Sequence, residues 1–195
     1  MKFKIFQFES VTSTNEMAMN LIKKNKKESG CVYAKKQTKG KGTRGKEWIS
    51  EIGNLFSTFF FPLKKNYPSF SEFSLINPII ISNAINKFCK DKTISFKWPN
   101  DILLNKKKIC GILQEVITVN SKKFLVIGIG INIQSNPIIK NKYKATNIFL
   151  ETRKSPTTEE LINLLIFEYE DFFKNLESYN FQNFKKKTEL MAINE

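Results

Sequence analysis

From Asn54 to Phe61 the chain reads Asn-Leu-Phe-Ser-Thr-Phe-Phe-Phe, a nearly unbroken apolar run that Pro62 cuts short. Such a run is a strand buried on both faces, which commits the fold to a sheet with cover on either side. Phe3 to Phe8 alternates apolar and polar residues, the period of a half-buried strand. Ser13 or Thr14 then caps a helical pattern built on Met17, Met19, Leu21 and Ile22. Cys31 to Gln37 reads as a further strand. Helical spacing returns from Ser71 to Phe88, with Pro78 expected in the first turns or at a bend. Ile94 to Ile133 looks like a meander of short strands. Asn105-Lys106 is the tight turn between Ile102–Leu104 and Ile109–Glu115, and Phe124–Ile133 is the next strand. Pro137 to Asn147 reads as a loop, and a long amphipathic helix opens at Pro156-Thr157-Thr158-Glu159. Strands clustered between flanking helices make an α+β domain.

The 195 residues, 41% of them hydrophobic, suffice for one sizeable core. A net charge of +14 would ordinarily point to nucleic acid, yet the cations are almost all lysines, with Arg44 and Arg153 the only arginines. Without arginine's planar fork, specific DNA or RNA recognition is not expected. The lack of any histidine excludes Ser-His-Asp and Cys-His triads and removes the commonest metal ligand. Cys31, Cys89 and Cys110 are scattered and odd in number, which indicates reduced core thiols rather than a zinc site or a disulfide framework. No apolar run reaches membrane-spanning length, so a cytoplasmic protein without membrane partners is expected.

Chemistry concentrates in Gly40-Lys41-Gly42-Thr43-Arg44-Gly45-Lys46-Glu47-Trp48. Closely spaced glycines let backbone amides approach an anion, and Lys41, Arg44 and Lys46 would neutralise it. The stretch lacks the Gly-Lys-Ser/Thr ending of a P-loop, and by itself it is also compatible with a solvated basic turn. It is accompanied by Ser13-Thr14-Asn15 upstream and by Lys97-Trp98-Pro99-Asn100-Asp101, Lys108-Ile109-Cys110-Gly111-Ile112-Leu113-Gln114-Glu115 and Gly128-Ile129-Gly130-Ile131-Asn132-Ile133 downstream. In this order and spacing the set resembles the catalytic domain of biotin protein ligases, the biotin–[acetyl-CoA-carboxylase] ligases, from about Phe3 to about Phe184.

The resemblance implies a mixed β-sheet flanked by helices, related to class II aminoacyl-tRNA synthetases. It implies that biotin and MgATP give biotinyl-5′-AMP, whose acyl group passes to a lysine of a biotin carboxyl carrier protein. It places Ser13, Thr14, Asn15 and Gln37 at the biotin pocket, with Lys41, Gly42 and Thr43 along the ligand. Lys108 would contact the biotin carboxylate and the acyl-phosphate, and Asp101 would position the acceptor lysine, with Arg44 as a further catalytic cation. Gly40, Arg44, Lys46, Trp48 and Asn132 fall on the nucleotide side. No protein ligand for a metal is assigned, magnesium arriving as MgATP. Each assignment has a plainer counterpart: helix capping for Ser13 and Thr14, a surface position for Lys108, an ion pair with Lys97 for Asp101, and wall or core for Trp48 and Trp98. The domain is expected over residues 1–184 with 185–195 a polar tail, and neither the winged helix nor the SH3-like domain found in other members is expected. The nearest rivals are a lipoate–protein ligase or octanoyltransferase and a non-catalytic biotin- or nucleotide-binding module. Oligomeric state and the particular carrier are left open.

Overall fold

The computed structural model describes residues 1–137 and 144–193. Seven strands form one sheet in the order β1 (Ile5–Val11), β2 (Gly30–Gln37), β3 (Leu55–Pro62), β7 (Lys122–Ile131), β6 (Lys107–Val119), β5 (Asp101–Leu104) and β4 (Ile94–Lys97). Only β1 and β2 run parallel, joined across α1 (Thr14–Lys23), so the sheet is mixed. Along β3, Leu55, Phe59 and Phe61 point to one face and Phe60 to the other, and each is essentially inaccessible to water. Burying each phenylalanine contributes about 1.5–3 kcal/mol, which makes this strand the keel of the fold.

Helices α2 (Phe70–Asn86) and α4 (Thr158–Lys174) cover the first face, through Phe73, Ile76 and Ile80 on one and Leu161, Leu165, Tyr169 and Phe173 on the other. Both begin in reciprocal capping boxes, Ser69 with Glu72 and Thr157 with Glu160. Pro78 lies in the buried interior of α2 rather than in its first turn. The opposite face carries α1 only over Phe60 and Val126, through Ala18, Leu21 and Ile22, and its remaining part is open. That partial cover is what creates the site.

Two-residue turns join the last strands. Asn105-Lys106 is one, as expected, and Asn120-Ser121 is a second that the sequence does not announce. All four residues take positive φ, as primed hairpin turns demand, but the second turn has neither glycine nor the Asn-Gly signature. Strand β6 is long rather than short: its first residues pair with β5, and Cys110 to Val119 pair with β7. The expected loop at Pro137–Asn147 lies partly outside the described residues, and a short helix, α3 (Ile148–Thr152), follows it. A helix, α5 (Phe181–Met191), spans residue 184, where the polar tail was expected to begin. Thr188 is buried against α2, Ala192 bridges to Phe96, and the Ile193 amide donates to the Phe96 carbonyl at 3.0 Å. Lysine-rich composition concealed a docked helix whose apolar contacts come from Phe184 and Met191.

Candidate active site

A cavity of about 290 Å³ opens on the α1 face, floored by β6 and β7. Three glycines make the room. A side-chain carbon on Gly128 would come within 2.4 Å of the Asn15 amide oxygen, and one on Gly111 or Gly130 within 2.4 Å of the Trp48 indole. Gly111 and Gly130 are partners across the β6–β7 ladder, so the indole lies on a shelf of two glycines.

Asn15 and Gln37 define one end. Ser13 is the N-cap residue of α1 by geometry, but its side chain makes no capping bond. The Thr14 amide donates instead to Oε1 of Gln37 at 2.8 Å, and the Thr14 hydroxyl donates to the same oxygen at 3.0 Å. The capping role therefore passes to a residue on β2. Asn15 Nδ2 donates to Oε2 of Glu115 at 2.7 Å and to the Leu113 carbonyl at 3.3 Å, and Oδ1 lies 2.6 Å from the Thr58 hydroxyl. Gln37 Nε2 donates to Ser50 at 3.1 Å. Thr58, fully buried on β3, and Glu115, on β6, thus hold the amides in place. Glu115 belongs to a motif quoted from the sequence, but Thr58 sits inside an apolar run where nothing marked it.

The other end is built by an irregularity. The β5–β6 ladder steps from Ile102↔Cys110 to Leu103↔Lys108, so Ile109 is an extra residue on β6. Strict alternation would put Lys108 on the same side as core residue Cys110; the bulge turns it onto the face of Gly111. Its ammonium lies 2.7 Å from Oδ1 of Asp101, which also accepts from Asn100 Nδ2 at 3.0 Å, and 5.3 Å from the centre of the Trp48 ring. Asp101 pairs with Lys108, not with Lys97 as the plainer reading had it. Asn100 reaches the Thr43 hydroxyl at 3.4 Å and so ties the turn between β4 and β5 to the glycine loop. Trp48 Nε1 is buried without a hydrogen-bond partner among the described residues.

The glycine loop folds on itself. Gly42 N–H donates to the Lys46 carbonyl at 2.7 Å, Lys46 N–H to the Thr43 carbonyl at 3.2 Å and Trp48 N–H to the Gly40 carbonyl at 2.9 Å. These amides are spent internally rather than held out for an anion, which corrects the expectation for them. Of the residues expected at the site, Ser13, Thr14, Asn15, Gln37, Lys41, Gly42, Thr43, Lys46, Trp48, Asp101, Lys108 and Asn132 line the cavity. Gly40 and Arg44 do not. Gly40 is a packing requirement, since a side-chain carbon there would stand 2.3 Å from the Trp48 carbonyl oxygen. Arg44 sits at φ +57° on the exposed outer side of the loop. Lys41 is drawn to Glu16 on α1 at 2.6 Å, a contact that raises the lysine pKa and, with Thr12, keeps the carboxyl below its usual range. Asn132 lines the cavity and donates to the Thr146 carbonyl at 3.0 Å. Among the described residues no three His, Cys, Asp or Glu side chains gather to hold a metal.

The fold and site define a domain whose cavity has side-chain amides at one end and a lysine–carboxylate pair at the other. Residues 7–132 match the biotin/lipoate A/B protein ligase family, and the chain belongs to that family. Over 125 residues it is 34% identical to the bifunctional ligase/repressor BirA of Escherichia coli, a stretch covering 63% of this chain but 38% of that protein. The biotin protein ligase of Leishmania major in complex with biotin superposes with a TM-score of 0.86 at 27% identity, over 97% of this chain and 81% of that one. The biotin protein ligase of Aquifex aeolicus in complex with biotin and ATP gives 0.80 at 29% identity, over 97% and 78%. These similarities bear out the α+β fold with a mixed sheet and flanking helices.

Proposed function

We propose that the chain is an ATP-dependent biotin protein ligase that acts through biotinyl-5′-AMP on a lysine of a biotin carboxyl carrier protein, in the cytoplasm. The observation that carries this reading is the placing of two unlike ends on one sheet face. Contacts from Asn15 reach Leu113 and Glu115, Trp48 lies over Gly111, and the bulge delivers Lys108, so the ends are about 15 Å apart along β6.

At the first end, both amide hydrogens of Asn15 are engaged and its oxygen keeps one lone pair, while Gln37 keeps one N–H. One acceptor and one donor suit a ureido group, which carries N–H beside C=O. They do not suit the apolar head of lipoate or octanoate, and that speaks against the rival acyltransferases. At the second end, joining a carboxylate to the α-phosphate of ATP brings two anions together, and Lys108 and Lys46 offset that repulsion. A biotin carboxylate oxygen attacks the α-phosphorus and pyrophosphate leaves; the acceptor amine then attacks the acyl carbon and AMP leaves. Asp101 already holds one ammonium and has the charge and position to receive the acceptor's. Magnesium would be held chiefly by the nucleotide phosphates, with Asp101 the carboxylate nearest Lys108. No described helix is long and apolar enough to cross a membrane, and the near absence of arginine argues against specific nucleic-acid binding.

The deciding measurement is ATP–pyrophosphate exchange with biotin, lipoate or octanoate, joined to calorimetric titration of each. Biotin alone should support exchange and bind; exchange driven equally by lipoate would overturn the assignment. Calorimetric binding of biotin without any exchange would favour the non-catalytic module.

A further inference from the structure

Trp98 stands in the turn between β4 and β5, three residues ahead of Asp101, and 64% of it is exposed. The expectation that it belongs to the core is thereby corrected. The turn is flanked by backbone contacts: Lys97 and Asp101 are register partners in the β4–β5 ladder, and the Ile112 amide donates to the Asn100 carbonyl at 2.8 Å. Tryptophan is large and on average highly buried, and an exposed one beside a functional cavity is characteristic of an anchor at an interface. Ile49, which lines the cavity, is 47% exposed.

We propose that Trp98 anchors the protein domain that carries the acceptor lysine, and that this domain is acidic around its lysine. The inference rests on the ligase reading above. An amine can reach Asp101 only if the surface bearing it descends to within one lysine side chain of the β4–β5 turn, and whatever descends there covers Trp98. Its charge follows from the mouth it meets: Lys41, Lys46 and Lys108 line the cavity with Glu47 and Asp101, Lys41 and Lys108 being paired with Glu16 and Asp101, and the whole chain carries +14. An acidic partner is steered to such a mouth and a basic one is repelled. The same cations favour the neutral, nucleophilic form of the incoming amine, because they disfavour a further positive charge beside them.

Three parallel reactions test the proposal. Pyrophosphate exchange needs no acceptor, discharge of the acyl-adenylate by hydroxylamine needs no docking, and transfer to a purified biotin carboxyl carrier domain needs both. In Trp98→Ala the first two should stay within about twofold of wild type, while kcat/KM for the carrier falls about tenfold or more through KM, and Trp98→Phe should recover most of it. Raising ionic strength about tenfold should slow carrier transfer and leave hydroxylamine discharge nearly unchanged. Unaltered carrier transfer in Trp98→Ala, or an equal loss in all three reactions, overturns the anchor; carrier transfer indifferent to salt overturns the acidic partner. Absence of exchange in the wild type would instead remove the ligase reading itself.

Discussion

At the Asn15 end of the cavity a lone pair and one N–H are what the two amides keep among the described residues, the rest being engaged by residues on α1, β3 and β6 and by Ser50 in the loop after β2. At the Lys108 end the Gly42, Lys46 and Trp48 amides bond within the loop, Trp48 lies on the glycine shelf with an indole N–H unpaired among the described residues, and Lys108 is held by Asp101. One end is rigid because its side chains stand on regular elements, whose backbone bonds leave little to rearrange. The other rests on a hairpin loop and a bulge, where a bound ligand's oxygens can take over contacts the protein now makes with itself. Recognition is thus built in advance, and activation is completed by what binds.

Replacing Lys108 by alanine should have the largest effect, a fall in biotin-dependent pyrophosphate exchange of about 10²–10³ with unchanged thermal stability. Because Asp101 loses its partner in that variant, transfer to the carrier should also slow, so the half-reactions separate less cleanly than two independent residues would allow. Asp101→Ala should slow transfer more than exchange; the reverse order would show that its main task is to hold Lys108.

Thr43 is next. It lines the cavity at the Lys108 end, carries a hydroxyl rather than a guanidinium, and is approached by Asn100 Nδ2 at 3.4 Å. Thr43→Arg should add charge-assisted bonds to the acyl-phosphate and slow release of the adenylate about tenfold, measured by stopped-flow or by labelling of bystander lysines. Equal rates would mean that Thr43 does not govern retention.

The preassembled end is probed by Thr58→Val and Glu115→Gln. Removing the buried hydroxyl leaves Asn15 Oδ1 without its donor, so biotin affinity should weaken about five- to tenfold by calorimetry with kcat nearly unchanged. Glu115→Gln keeps an acceptor for Asn15 and should bind within about threefold of wild type. A Thr58→Val protein with full affinity would erase the contrast between the ends.

The smallest effect concerns the support behind Lys108. Burial pushes the Glu151 carboxyl up, but bonds from Lys107 at 2.9 Å, Thr146 at 2.7 Å and Asn105 at 2.8 Å outweigh it and leave the pKa below its ordinary 4.5. A depressed folded-state pKa adds stability above the unfolded value, and that increment is lost as pH falls through the folded one. Glu151→Gln should therefore cost about 1 kcal/mol or less at neutral pH, since Lys107 is partly exposed, and should flatten the loss of stability below pH 4.5 in urea titrations.

Much of the fold was legible. The apolar run at Leu55–Phe61, the spacing in α2 and α4, and the Asn105-Lys106 turn each carry a local signal strong enough to survive in the tertiary structure. Helix α5 was illegible because its lysines outweigh the few residues that dock it, and the Asn120-Ser121 turn because polar residues took a conformation usually given to glycine. Most residues of the expected site line the cavity, but Arg44, though inside the motif, does not.

The sequence by itself determined the succession of strands and helices, the glycines that clear the floor, and the chemical types brought to the cavity, because periodicity and steric freedom are properties of a residue and its near neighbours. The tertiary structure decided which of Lys106, Lys107 and Lys108 enters the cavity, that Asp101 meets Lys108, and that Thr58 and Glu115 orient Asn15 from far along the chain. Those choices depend on ladder register, where one extra residue reverses the face of every side chain beyond it, and on contacts between distant segments that no local pattern encodes.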